Sequence, residues 1–293
     1  GVQDPSVFKW GYLMAGLAMV LGTVIFYFLK DKYVIAPDGS AIGAKPNKNF
    51  ESGEVVEQAK FSGSSIGIVT GLFFVLFFVF RYLLVGEFGF STFEIGTLVK
   101  GIIYPIIYGA GISLAVLILL DSTLTKIETQ RILVIYIISF FIIFFWAAFE
   151  QAGSSLTFIA SNQTDRNIMF GWEMPASMVQ IFNGICIVLL AVPFSILWDK
   201  LRASGKEPIS PAKQALGLAI ISLSYFIIAH NVKDLGSTGL LAIKWLILLY
   251  FIQSCAELCL SPIGLSLVGK LAPKRFASLL YGVFFISNAA GYA

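Results

Sequence analysis

Long apolar runs alternate with short polar segments along most of the chain. Eight of these runs approach the roughly 20 residues that a helix needs to cross a bilayer. They cover approximately 8–29, 63–85, 101–120, 132–159, 175–198, 212–230, 240–268 and 275–293. The pattern predicts an all-α integral membrane protein with eight spans, the last one incomplete, and we expect the chain to be part of a longer polypeptide.

Composition supports a membrane protein and excludes several other classes. Hydrophobic residues make up 57% of the 293 residues and charged residues only 13%, about half the charge of a soluble domain. The three cysteines lie in apolar runs, and the single histidine leaves little material for a metal site or a catalytic triad. No phosphate-binding glycine loop is present, and the scattered basic residues do not suggest nucleic-acid binding. We therefore expect no enzyme, no metal and no cofactor.

Basic residues predict the orientation and help to divide the chain. Most of the 20 lysines and arginines fall in alternate connections, beginning with 30–61, and the positive-inside rule places these connections in the cytoplasm. The runs between 62 and 121 lack acids and amides, and Arg81 near the end of one run should reach the interface. We therefore predict a helix over 1–29, a cytoplasmic linker over 30–61, a lipid-facing helix pair over 62–121 and a polar helix bundle over 122–293.

Two carboxylates lie within apolar runs, Glu150 and Glu257. A charge at the bilayer centre costs roughly 2.5–3.5 kcal/mol, so it must face a partner, a bundle interior or water. On a helix over the fourth run, Trp146, Glu150 and Ser154 lie on one face. This stripe suits the lining of a polar cavity, although a structural salt bridge of Glu150 is the alternative.

Glu257 has a comparable setting. Gln253, Glu257 and Ser261 share a helix face, and Pro262 follows. A proline inside a helix removes one backbone hydrogen bond and favours a kink. The pattern therefore indicates either a hinge beside a buried acid or a static kink.

Amides add further polar candidates. Gln180 and Asn183 fall on one face of the fifth run, and Ser287 and Asn288 lie in the last run. Such side chains either bind a solute or join neighbouring helices, and the residues alone leave both readings open.

Three stretches in order resemble one known family. They are F-W-A-A-F-E-Q-A-G-S-S-L over 145–156, F-G-W-E-M-P-A-S-M-V-Q-I-F-N over 170–183 and A-E-L-C-L-S-P-I-G-L-S-L-V-G-K-L-A-P-K-R over 256–275. These stretches are similar to the proton-dependent oligopeptide transporters (POT/PTR) of the major facilitator superfamily. The polar-free pair over 63–120 also fits, because bacterial members insert two helices between their two six-helix halves.

The resemblance implies a fold and a function. The chain would hold the last helix of the N-terminal half, the inserted pair and most of the C-terminal half of a major facilitator fold. It would take part in proton-coupled symport of di- and tripeptides by alternating access in the bacterial cytoplasmic membrane. The proton gradient would drive transport without a cofactor, and the expected partners are the peptide, protons, the lipid bilayer and the N-terminal half.

The resemblance also implies roles for single residues. Glu257 would face the amino terminus of the peptide with help from Asn183, and Trp146 and Ser261 would line the pocket. Glu150 would pair with a lysine of the first half and take part in proton-coupled gating. We add the amide Asn288 to the substrate-binding set.

Two other functions stay open on the sequence alone. The same scaffold could carry nitrate, another organic solute or a drug-like molecule, although two acids disfavour a purely anionic solute. A membrane-embedded enzyme or sensor would need a nucleophile–base pair or a large soluble domain, and neither is visible.

Overall fold

The computed structural model describes residues 8–35, 59–89, 94–168, 171–233, 235–236 and 239–293. Most of the predicted linker over 30–61 therefore lies outside the described residues. Contacts divide the chain into two compact units, Gly1–Val55 and Val56–Ala293. In the first unit the structure describes one apolar helix, α1 (Phe8–Tyr33), followed by Val34 and Ile35.

The second unit is helical almost throughout its described part. Its α-helices are α2 (Gly63–Val85), α3 (Ile95–Leu98), α4 (Tyr104–Leu119), α5 (Lys126–Phe149), α6 (Ser155–Asn162), α7 (Ile181–Ala203), α8 (Ser210–Val232), α9 (Ile243–Leu271) and α10 (Ala277–Tyr292). Tighter or wider helical turns occupy Val99–Ile103, Glu150–Gly153, Ala176–Gln180 and Lys274–Phe276. Two short strands, β1 (Thr164–Asp165) and β2 (Leu241–Ala242), pair in parallel.

Seven helical stretches of the described residues are long and apolar enough to cross a membrane. They correspond to the first seven predicted runs, so the prediction of a multi-pass all-α membrane protein is confirmed. The eighth run forms α10, which at 16 residues is shorter than a full span.

Helices α2 and α4 pack against each other, and Arg81 contradicts the expectation for its side chain. Arg81 is 2% exposed and does not reach the interface. Its guanidinium donates to the carbonyls of Gly101 (2.8 Å), Phe88 (3.2 Å) and Gly89, and it pairs with Glu87 (3.6 Å). A Cβ atom at Gly101 would collide with this guanidinium. The irregular backbone after α2 and α3 leaves carbonyls that need donors, and Arg81 supplies them.

The main core lies between α5, α8, α9 and α10. Its fully buried side chains include Ile135, Ile142 and Phe145 of α5, Leu260 of α9 and Leu280 of α10. Helices approach closely where glycine replaces a side chain. A Cβ atom at Gly217 of α8 would lie 2.9 Å from the Ala256 carbonyl oxygen of α9. A Cβ atom at Gly291 of α10 would lie 2.6 Å from the Cβ of Trp146. Small residues at such crossings allow backbones to pack together in membranes.

Candidate functional site

The fourth span is interrupted next to Glu150. Helix α5 ends at Phe149, a 3₁₀ turn covers Glu150–Gly153, and α6 begins at Ser155. Between them Ser154 has φ −121° and ψ −93°, outside the helical region. The predicted uninterrupted helix is therefore wrong at this point, and the expected stripe of Trp146, Glu150 and Ser154 does not continue past Glu150.

Side chains satisfy the carbonyls on the α5 side of this interruption. Gln151 donates from Nε2 to the Ala147 carbonyl (3.2 Å). The hydroxyl of Tyr225, from α8, donates to the Ala148 carbonyl. Non-helical backbone inside a membrane persists only where protein groups or water supply such bonds. The Ala147 and Ala148 carbonyls at the break therefore have hydrogen-bond donors within the protein.

The α6 side of the interruption is held by an amide from the next element. Gln180 donates from Nε2 to the Ala152 carbonyl (2.8 Å) and to the Thr157 hydroxyl (2.7 Å). Thr157 itself donates to the Ala152 carbonyl (2.7 Å). The sequence left open whether Gln180 binds a solute or joins neighbouring helices. In the structure its amide joins the segment before α7 to the break and to α6.

A cavity of about 190 Å³ opens beside the interruption. It is lined by residues of the break, of the start of α7 and of α9: Phe149, Glu150, Ala152, Gly153, Gln180, Asn183, Tyr250 and Gln253. Glu150 is exposed at the end of α5, with its carboxylate beside an amide-rich wall. The cavity thus combines one acid with three neutral amides.

Asn183 connects this cavity with Glu257. Its Nδ2 donates to the Ser254 hydroxyl (3.0 Å), which in turn donates to the Tyr250 carbonyl (2.8 Å). Asn183 also lies close enough to Glu257 to interact with its carboxylate. Two of the predicted substrate-binding residues are therefore neighbours, although they come from different helices.

Glu257 is half-buried in α9. Its Oε2 atom is shielded from solvent and has no hydrogen-bond partner among the residues that the structure describes. The Tyr292 hydroxyl lies within electrostatic range of both Glu150 and Glu257. The unpartnered buried carboxylate oxygen of Glu257 can accept a hydrogen bond from a ligand that brings N–H groups.

The remaining predicted residues occupy nearby positions. The Trp146 ring meets that of Tyr292 edge to face, with 5.5 Å between centroids, and also packs against Phe149. Ser261 is half-buried one turn after Glu257, and the Oδ1 atom of Asn288 is buried without a partner in the described part of the chain. Trp146, Ser261 and Asn288 are not among the described residues that line the 190 Å³ cavity.

Helix α9 passes through Pro262 without ending. It runs as one α-helix over Ile243–Leu271, so Gln253, Glu257 and Ser261 do follow each other along one helix as predicted. A hinge or a static kink at Pro262 stays a prediction, whereas the break in regular helix lies between α5 and α6.

Sequence reasoning did not single out three tyrosines of the site. Tyr250 precedes Gln253 by about one helical turn and Glu257 by two, so its helical periodicity could have indicated it. Tyr225 and Tyr292 meet the site from α8 and α10, and no local pattern links them to it.

Comparison with known proteins gives one consistent family. The family model described as POT family matches residues 1–293. The peptide transporter YePEPT of Yersinia enterocolitica is 27% identical over 288 residues, which are 96% of this chain and 53% of that protein. A di-/tripeptide transporter of Lactococcus lactis subsp. cremoris is 30% identical over 197 residues, which are 66% of this chain and 38% of that protein.

Solved structures agree with this result. A crystal structure of the peptide transporter POT in complex with sulfate is 28% identical, with a TM-score of 0.69 over 97% of this chain and 54% of that one. A POT family transporter in complex with 5-aminolevulinic acid is 27% identical, with a TM-score of 0.65 over 97% of this chain and 55% of that one. The chain thus spans about half the length of these relatives. Its fold is the one expected for major facilitator transporters, and the match over its whole length places the chain in the POT family.

Proposed function

We propose that the chain is part of a proton-coupled symporter of di- and tripeptides that works by alternating access. The observation that carries the proposal is the unpartnered buried Oε2 of Glu257, beside Asn183 and next to the cavity that contains Glu150. Family membership and the names of the two relatives support the same substrate class. Within this family the chain acts as a transporter rather than an enzyme.

The acceptor groups of α9 and α10 can bind the amino terminus of a peptide. Three buried oxygens of α9 and α10 are acceptors without a partner among the described residues: Gln253 Oε1, Glu257 Oε2 and Asn288 Oδ1. Unused acceptors fit a ligand that brings N–H groups. In the proposal Glu257 binds the ammonium group with Asn183, while Trp146, Ser261 and Asn288 line the pocket around it.

Glu150 is the proposed proton-coupling residue. It lies at the end of α5 where the helix is broken, so a change in its charge acts on a part of the chain that regular helix does not fix. A carboxyl group alternates between a neutral and a charged form according to its surroundings and nearby cations. We place its cationic partner in the N-terminal half of the same transporter, which also supplies the opposite wall of the site.

The wider assignment follows the same scheme. Residues 1–29 are proposed as the last helix of the N-terminal bundle, 30–61 as a cytoplasmic linker, 62–121 as the inserted pair and 122–293 as the C-terminal bundle. The proton gradient across the bacterial cytoplasmic membrane drives transport, with no metal or other cofactor.

Uptake of labelled dialanine into proteoliposomes that contain the full-length protein tests the proposal. An inward proton gradient should raise the uptake rate, and Glu257→Gln should lower uptake about tenfold or more, since a hydrogen bond to a charged group contributes about 1.5–3 kcal/mol. Glu173→Gln is the matched control, because Glu173 is an exposed carboxylate that pairs with Arg166 outside the cavity. Equal uptake with and without the gradient would exclude proton coupling, and unaltered uptake by Glu257→Gln would remove Glu257 from the site.

A second solute class deserves the same assay. One structural relative was solved with 5-aminolevulinic acid, which carries an amino group and a carboxylate as a peptide does. A competition panel with dialanine, 5-aminolevulinic acid and nitrate separates the alternatives. We expect dialanine to compete best and nitrate not to compete.

A further inference from the structure

Gln253 occupies an unusual position in α9. It is 1% exposed, lies one turn before Glu257 and lines the cavity that contains Glu150 and Asn183. Its Nε2 donates to the Tyr225 hydroxyl (3.3 Å), whereas its Oε1 is buried and has no partner among the described residues. A buried amide with half of its capacity unused needs an explanation.

The orientation of this amide follows from its neighbour. The Tyr225 hydroxyl has one hydrogen, which it donates to the Ala148 carbonyl at the interruption between α5 and α6. Tyr225 can therefore only accept from Gln253, and Gln253 must present Nε2 to it. The chain from Gln253 through Tyr225 to Ala148 leaves Oε1 as the free acceptor, and each bond in such a chain polarises the next.

Among the cavity residues Gln253 supplies a neutral acceptor. Glu150 is an acid, and the amide oxygens of Gln180 and Asn183 are not among the buried, unpartnered side-chain atoms of the described residues. An acid suits an ammonium group, whereas an amide oxygen suits the uncharged N–H of a peptide bond. Gln253 stands one helical turn, about 5–6 Å, from the acid proposed to bind the ammonium group. This offset is within reach of the first peptide bond of a bound dipeptide.

We propose that Gln253 Oε1 accepts a hydrogen bond from the N–H of the first peptide bond of the substrate, and that Tyr225 is the positioning residue that orients this amide. The inference rests on the proposed function, because it assumes a peptide in the cavity region. It explains how the site distinguishes a peptide from other molecules that carry an amine and a carboxylate.

The test is a thermodynamic cycle with two changes. One removes the peptide N–H from the substrate, and the other removes the acceptor oxygen from the protein. Initial uptake of dialanine and of its analogue with a methylated peptide nitrogen is measured in proteoliposomes of the full-length protein. Wild-type protein should prefer dialanine by about fivefold in kcat/KM, which corresponds to about 1 kcal/mol for one hydrogen bond. Gln253→Met, which removes the acceptor oxygen, should lose this preference.

Tyr225→Phe and Gln214→Met complete the experiment. Tyr225→Phe should reduce the preference, whereas a purely structural role would change both substrates equally. Gln214 is a buried glutamine of α8 that is not among the described residues lining this cavity, so Gln214→Met should leave the ratio unchanged. If Gln253→Met does not fold, the wild-type ratio and Tyr225→Phe still decide the question.

The two levels of the proposal fail differently. If wild-type protein takes up neither substrate, the proposed function is wrong. If it takes up both at equal rates, or if Gln253→Met keeps the preference, peptide transport stands and the role of Gln253 is overturned.

Discussion

At the scale of single residues, buried polar side chains mainly serve irregular backbone. Arg81, Gln180 and Tyr225 each donate to carbonyls at places where helices end or break. Such carbonyls would otherwise be unsatisfied in an apolar medium, at a cost of about 1–3 kcal/mol each. Gln253 and Glu257 depart from this use, because each keeps a buried oxygen without a partner among the described residues. Both carry the proposed chemistry.

Glu207 shows the effect of close cations in the connection between α7 and α8. Hydrogen bonds from Arg202 (2.8 Å) and then Lys213 (2.6 Å) lower the pKa of Glu207 from 4.5 to about 2. Because the folded pKa is depressed, the stabilisation is complete above about pH 4.5 and is lost as the pH falls towards about 2. The melting temperature of the wild type should therefore fall more steeply in this window than that of Glu207→Gln.

Thermal unfolding of the purified full-length protein across this pH range measures the difference. Lys206→Gln is the control, since Lys206 is an exposed neighbour that leaves the contacts of Glu207 with Arg202 and Lys213 intact. Parallel curves for wild type and Glu207→Gln would contradict the prediction.

At the scale of elements, the site depends on one broken and one continuous helix. The break between α5 and α6 places Glu150 at a helix end, whereas α9 presents Gln253, Glu257 and Ser261 in one row. Close contacts with α8 and α10 hold both elements in place, and glycines make these contacts possible. The positions of the polar side chains in this bundle therefore depend on how closely its helices pack.

Gly217→Ala should destabilise the bundle at the crossing of α8 and α9. The added Cβ would lie 2.9 Å from the Ala256 carbonyl oxygen and 3.1 Å from the Cβ of Leu260, and overpacking of this kind costs about 1–3 kcal/mol. Gly282→Ala in α10 is the control, because its Cβ would meet no described atom within 4 Å. We expect a lower melting temperature for Gly217→Ala only, and equal values for the two variants would show that the crossing can relax.

At the scale of the whole molecule, the chain has two units and an expected orientation. The helix of the first unit and the bundle of the second belong to a protein family whose compared members are about twice as long as this chain. Basic residues predict that the connection around Lys206 faces the cytoplasm and that the one after α8, beginning at Lys233, faces outside.

Cysteine labelling tests this orientation with two exposed lysines that flank α8. In the full-length protein with every cysteine replaced, including Cys186, Cys255 and Cys259, an impermeant maleimide should label Lys233→Cys in intact cells. Lys206→Cys should react only after the membrane is made permeable. The reverse pattern would invert the predicted orientation, and the parent protein without cysteines gives the background.

The sequence by itself determined the membrane class, the first seven helical spans, the family resemblance and the two intramembrane acids. Each depends on local properties, because the length of an apolar run, the presence of a charge within it and a motif can be read from adjacent residues. Tertiary structure alone decided that the fourth span breaks after Phe149, that Arg81 is buried and that Asn183 lies between the cavity and Glu257. These outcomes depend on hydrogen bonds that must be satisfied by distant residues, such as Tyr225 with Ala148. In an apolar medium such partners determine where a helix can break, and no stretch of sequence contains both members of the pair.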